Sequence, residues 1–230
     1  MQWSAALGAL SVADVAAVAV LVLAWAIIGW VTDHPPAGRP SVSVLMTGMQ
    51  REWMAQYVTR EARIFDATIE GSLRQGTAFF ASTALLAIGG LLALIGNTAP
   101  LQGVAAEIGT APAPAILWQI RLVPPAVLLV HAFLKFVWAH RIFGYGSVLM
   151  AAVPLGMDDP RAPVRAAQAA EFNIRGMVNF NAGLRSMYFA LGALGWLAGP
   201  VALIGGTLVV TWLLWAREFW SRPRDILLGR

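Results

Sequence analysis

Residues 77–95, TAFFASTALLAIGGLLALI, run for nineteen positions without one charged side chain. At about 1.5 Å of rise per residue, a helix of that length comes close to the roughly 30 Å of a bilayer's hydrocarbon core. Residues 12–31, VADVAAVAVLVLAWAIIGWV, make a second such run, with Asp14 as its one charge. In hydrocarbon every backbone N–H and C=O must find its partner within the protein, which leaves helices as the natural form for these runs. Composition agrees: 58% of the 230 residues are hydrophobic and 12% charged, against roughly 45–50% and about 25% in a soluble domain. The expected fold is all-α, a single polytopic transmembrane bundle with amphipathic helices at one surface.

A third span is expected over residues 115–139. Pro124 and Pro125 fall inside it, and proline withholds an N–H from the helical ladder, so a kink or break is expected there. Residues 186–216 are too long for one crossing. Gly199-Pro200 divides them into a hairpin, giving a fourth span near 180–199 and a fifth near 201–216. Two amphipathic stretches lie between spans, at 42–74 and 164–185. In the first, Leu45, Met46, Met49, Trp53 and Tyr57 recur at mostly helical spacing.

Four spans or five is decided by arginine. Clusters follow the first span (Arg39, Arg51, Arg60, Arg63, Arg74), the third (Arg141, Arg161, Arg165, Arg175, Arg185) and the last (Arg217, Arg222, Arg224, Arg230), and none follows the second. Positive charge accumulates on the cytoplasmic side. Five spans, with the N-terminus outside and the C-terminus inside, put all three clusters there.

Ionisable side chains at membrane depth are costly and default to functional candidates. Lys135, the only lysine in the chain, sits in the third span four residues beyond His131. It has three readings: reaching toward the headgroups, pairing within the bundle, or lining a pathway that attracts anions. Its candidate acidic partners are Asp66 and Glu70, which with Arg63 and Arg74 form a ladder at three- and four-residue steps along a helix. The plain reading of that ladder is a surface-lying helix with weak ion pairs; the sharper one has a carboxylate reaching a base on another span. Asn179 and Asn181 add polarity to the approach to the fourth span. Arg121 lies near the outer end, placed to snorkel to the interface.

There is no cysteine and no P-loop, GxGxxG, HExxH or GxSxG motif. The three histidines have no metal-site spacing, and His131 as a haem or chlorophyll ligand is weaker than His131 as a packed bundle residue. No cofactor, metal or nucleic-acid partner is expected, nor an enzyme: Asp66 and Glu70 as acid and base would lack a companion nucleophile. The expected partners are the lipid bilayer and either further copies of the chain or other membrane subunits.

Several ordered blocks carry a family resemblance. They are REWM at 51–54, RIFDATIEGSL at 63–73, FFASTALLAIGGLLALIG at 79–96, FLKFVWAHRIFGYGSVLMAAVP at 133–154, FNAGLRSMYFALGALGW at 180–196 and REF at 217–219. Together they resemble domain-of-unknown-function family 599, uncharacterised membrane proteins of bacteria and plants. The resemblance implies that Lys135, Asp66 and the Asn-rich approach belong to the family pattern, with an aromatic expected where His131 stands. A bacterial inner-membrane location is expected. Two functions are expected to compete: an anion-leaning channel or transporter acting as a homo-oligomer, and a non-catalytic accessory or scaffold subunit.

Overall fold

The computed structural model describes residues 10–107 and 113–230, and every described element is helical. In chain order these are α1 (Val12–Asp33), α2 (Val42–Tyr57), α3 (Ile64–Gly96), α4 (Ala99–Glu107), α5 (Ala115–Ala151), α6 (Arg161–Ala193), a 3-10 turn (Leu194–Ala198), α7 (Pro200–Phe219) and α8 (Arg222–Leu227). Four stretches are long and apolar enough to cross a membrane: α1, α3, α5 and Pro200–Leu227, which contains α7. The chain is an all-α membrane-protein bundle.

The cross-links between helices give the order of the passes. Beside α1, the end of α6 and the 3-10 turn run antiparallel. Trp196 donates to Asp14 at 2.7 Å, Trp25 donates to Ser186 at 3.1 Å, and Arg185 forms an ion pair with Asp33 at 3.0 Å. The second half of α6 thus lies antiparallel along α1, and it is not apolar enough alone to count among the four. Helix α5 lies antiparallel to α3, with Gln119 donating to the Ile95 carbonyl at one end and Arg63 to the Val153 carbonyl at the other. At the end shared by Asp33 and Arg185, Glu218 accepts from Ser43 and Arg224 donates to the Pro40 carbonyl. We call this the basic end of the bundle.

Local chemistry sets the boundaries. Ser11 and Asp14 close a reciprocal capping box at the start of α1. Gly199, at φ 114° where a side chain would be strained, turns the chain, and Pro200 opens α7 at its first position. The hairpin closes tightly because Gly195 faces the Ala202 carbonyl; an added Cβ would come within 2.7 Å of that oxygen. Lipid offers helices little hydrophobic drive to associate, so such close approach carries the packing. The α5–α6 seam follows the same rule: the fully buried rings of Phe136 and Phe143 press against Gly183 and Gly176, where a Cβ would meet them at 2.6 Å.

Two details of local structure go beyond the sequence expectation. Residues 42–74 are not one helix: the chain breaks between Tyr57 and Ile64. No glycine or proline marks this break; tertiary contacts make it. Val58 is buried and its carbonyl accepts from the Gly156 N–H, while the Arg63 guanidinium caps the Val153 and Pro154 carbonyls. Nor do Pro124 and Pro125 break α5, which stays helical through both, with Leu122 fully buried and Pro125 buried beside it. Two missing ladder bonds are offset there by packing on the neighbouring passes.

Helix α3, at 33 residues, would be about 50 Å long, well beyond a hydrocarbon core. Its charge-free part is residues 77–95, and residues 64–76, which carry Asp66, Glu70 and Arg74, extend beyond it toward the basic end. That projection carries the acidic residues discussed next.

Candidate functional site

Asp66, Glu70 and Thr77 share one face of α3, and it is turned inward rather than toward solvent. Asp66 is completely shielded and Glu70 is 3% exposed. The ladder expected from the sequence therefore does not lie on a surface, and neither Arg63 nor Arg74 forms an ion pair with these carboxylates at bridging distance. Arg60, from the break between α2 and α3, pairs with Asp66 Oδ1 instead. Trp53 Nε1 donates to the same oxygen at 2.6 Å. Asp66 Oδ1 is clamped between a guanidinium and an indole, while its Oδ2 is buried without a partner.

Glu70 has much less. Ser147 on α5 reaches its Oε1 at 3.3 Å, yet the same hydroxyl lies 3.0 Å from the Phe143 carbonyl. A hydroxyl has one proton to give, and the nearer acceptor is the carbonyl. Glu70 Oε2 is buried with no partner. Burial without a committed donor disfavours the charged form. Desolvation pushes the Glu70 carboxyl up to about 7, opposed in part by Ser147 and the nearby Arg74 charge.

Glu70 forms part of the wall of a cavity of about 360 Å³ between the end of α2, the projecting part of α3 and the last turns of α5. Arg63, Arg74, Tyr57, Ser147 and Met150 complete its chemical lining. Arg63 stacks over the Tyr57 ring at 4.2 Å. Behind Glu70, Gly146 leaves room for two oxygens: a Cβ there would lie 3.6 Å from Glu70 Oε1 and 3.0 Å from Asn173 Oδ1 of α6. Asn173 is fully buried and its Oδ1 has no donor.

The other sequence candidates lie elsewhere. Lys135 does not meet Asp66 or Glu70; its Nζ donates to Asn179 Oδ1 at 3.3 Å, and the Asn179 amide in turn donates to the Arg175 carbonyl. His131 is 2.8 Å from Ser186 Oγ through Nδ1 and meets the Trp25 ring edge-on at 5.1 Å. Asn181 lines a separate cavity of about 180 Å³ with Asp33, Gln50, Arg217 and Glu218. So the fold gathers Arg63, Glu70 and Arg74, and leaves Lys135, His131, Asn179 and Asn181 apart from them. Sequence reading missed Arg60, Ser147, Gly146 and Asn173 as site residues; the small-residue run GYGS at 144–147 was the signal that something approaches α5 closely. Among the described residues, no cluster of three or more His, Asp or Glu side chains could hold a metal ion.

Residues 16–223 match the model of a family described as protein of unknown function, DUF599. The chain belongs to that family. No curated protein and no solved structure matches it. The family match spans α3, α5 and α6, the three helices that supply Glu70, Ser147 and Asn173.

Proposed function

We propose that this protein binds and transports a small anion across the membrane, with the Glu70 cavity as its binding station. One observation carries the reading: a cavity of small-molecule size is flanked by two guanidinium groups, Arg63 and Arg74, and by an acid that has no committed cation. Guanidinium is the natural partner of carboxylate and phosphate oxygens. An ionised Glu70 would compete with the anion for Arg74, and a protonated one would leave Arg74 to it. That links anion occupancy to a proton.

The placement of charge supports an orientation. Of the fifteen arginines, only Arg121 sits in the outer half of a span, and the other clusters fall at the basic end. By the positive-inside tendency that end is cytoplasmic, which puts the N-terminus outside, the C-terminus inside and the cavity at the inner face of a bacterial inner membrane. A C-terminal reporter active only outside the cytoplasm should stay silent.

The transport reading is tested with purified protein in liposomes, following uptake of radiolabelled phosphate and of small carboxylates under an imposed pH gradient. Arg74→Ala is expected to lower flux by about tenfold, the worth of one charge-assisted contact. Absence of flux for every anion, with the parent indistinguishable from Arg74→Ala, would remove it.

A second reading has its own support. The first half of α6 exposes an open groove lined by Pro163, Val164, Ala167, Gln168 and Phe172. A groove of that kind suits a docked helix from a second copy or a foreign subunit, as in an accessory protein. Native mass measurement after gentle extraction separates the cases: a homo-oligomer fits a transporter, and stable foreign subunits fit a scaffold.

A further inference from the structure

We infer that Glu70 is the proton-binding group of this cavity and that its proton is held in a hydrogen bond to Asn173 Oδ1 across Gly146. The inference deepens the transport reading by naming its coupling residue, and it stands on geometry that does not need an anion. Two buried oxygens, Glu70 Oε2 and Asn173 Oδ1, lack donors, and the space left by Gly146 is faced by Asn173 Oδ1 and by the other oxygen of the same carboxyl, Glu70 Oε1. An ionised carboxylate and an amide oxygen are both acceptors, so facing each other they are two unsatisfied groups. Such orphans are costly when buried. One proton on Glu70 turns the pair into donor and acceptor.

The amide orientation fits. Asn173 Nδ2 points to Met150 Sδ at 3.8 Å, a weak acceptor, and that leaves Oδ1 on the Gly146 side. The surrounding titratable groups come from every neighbouring element. On α3 itself they are Asp66, already committed to Arg60 and Trp53, and Arg74. From the break before α3 comes Arg63, committed to two backbone carbonyls, and from α2 comes Tyr57, which donates to the Met150 carbonyl. On α5, His140 is engaged with Thr77 and the Arg74 carbonyl. On α6 the facing side chain, Asn173, is uncharged. Arg74 is the one cation that would respond to the charge of Glu70, so loss of the proton draws Arg74 inward and gain of the proton releases it.

The test is a pH titration of the full-length purified protein, read by the infrared carbonyl band of protonated carboxyl groups with Glu70→Gln to assign it. The expected result is a band that titrates in the neutral range and vanishes in Glu70→Gln. Asn173→Leu keeps the branched outline and removes the acceptor, so the midpoint should fall by about half to one unit, the worth of one hydrogen bond. A midpoint that rises in Asn173→Leu would mean that Asn173 donates to an ionised Glu70, and it overturns the inference. So does an unmoved midpoint, or a Glu70 that is ionised throughout the range above pH 5. Should Asn173→Leu not fold, Gly146→Ala, whose Cβ would press on Asn173 Oδ1, is expected to lower the midpoint in the same direction. Because the carboxyl itself is read, absent flux with an intact titration would remove the transport reading and leave this one standing.

Discussion

Asp66 and Glu70 sit one turn apart on the same face of α3, are both shielded from solvent, and have opposite fates. Asp66 meets Arg60 and Trp53, supplied by the chain just before α3. Glu70 meets α5 and α6, where the neighbours are a serine already bonded to its own helix and an amide oxygen. Equal burial therefore does not give equal chemistry; the donors that the neighbouring elements bring decide how well a buried carboxyl is compensated. The first is a structural anchor for the break between α2 and α3. The second is a group able to change charge beside a cavity.

The largest effect expected from this contrast is on stability. Arg60→Ala leaves the Asp66 carboxylate buried without its cation and should cost about 3 kcal/mol, since breaking such a pair strands a charge. Compared near pH 4, where Glu70 is neutral in the folded chain and mostly neutral in the unfolded one, Glu70→Gln should cost less than about 0.5 kcal/mol. Denaturant unfolding in detergent, followed by tryptophan fluorescence, measures both. Equal losses in the two variants would erase the distinction drawn here.

Next in size is the pH dependence. The folded-state carboxyl of Glu70 lies near 7, above its ordinary 4.5. Between those values the folded chain holds a proton that the unfolded chain has lost. Stability therefore falls as pH rises from about 4.5 through 7, and above 7 the cost is complete, on the order of 3 kcal/mol at most and reduced by solvent screening at the open cavity. In Glu70→Gln this decline should disappear. Asp159 supplies the opposite sign elsewhere in the molecule: its bonds from Arg161 hold it down to about 2. Its contribution is present above 3.8 and is lost as pH falls toward 2. A stability profile with the same slope at pH 4.5–7 in parent and Glu70→Gln would contradict the placement of the proton.

Much of this arrangement was legible in the sequence, and its limits are physical. The charge-free run at 77–95 and the Gly199-Pro200 turn gave the bundle and its hairpin, because bilayer thickness and backbone geometry act locally. The spacing of Asp66 and Glu70 placed them on one helix face. Which way that face points was not legible, since the same helix carries Arg63 and Arg74, and only the approach of α5 and α6 decides. The break at residues 58–63 was hidden for a related reason: side chains bonding to Val153 and Pro154, ninety residues away, hold it open. Lys135 drew attention because it is the only lysine, yet chemical rarity does not locate a partner. Asn173 was passed over as one of several asparagines, and its role depends on a glycine on another helix.

A glycine pair on α5 gives a smaller and sharper check. Gly146 lies where a Cβ would come 3.0 Å from Asn173 Oδ1, whereas Gly144, two residues earlier, has open space around it. Alanine favours a helix over glycine by about 1 kcal/mol. Gly144→Ala should therefore stabilise the protein by up to about that amount in the unfolding assay. Gly146→Ala should lose the gain to the crowding of Asn173, ending neutral to about 1 kcal/mol less stable. If both variants gained equally, the space behind Glu70 would be loose, and the convergence of Glu70 and Asn173 would not constrain a proton.

The smallest effect is expected at the residue that stood out most in the sequence. Lys135 is held by one long hydrogen bond to an amide and forms no ion pair within 4 Å among the described residues. Lys135→Met keeps the unbranched stem and removes the charge, so stability should change by less than about 0.5 kcal/mol. Lys135 also lies more than two turns along α5 from Ser147, so the Glu70 titration should not move, beyond the small loss of a distant positive charge. A change in anion flux without either of those changes would then give Lys135 a role along the path rather than at the station. A shift of the Glu70 midpoint as large as that in Asn173→Leu would instead join the two sites electrically. The separation of an inner station from the charge at membrane depth would then be wrong.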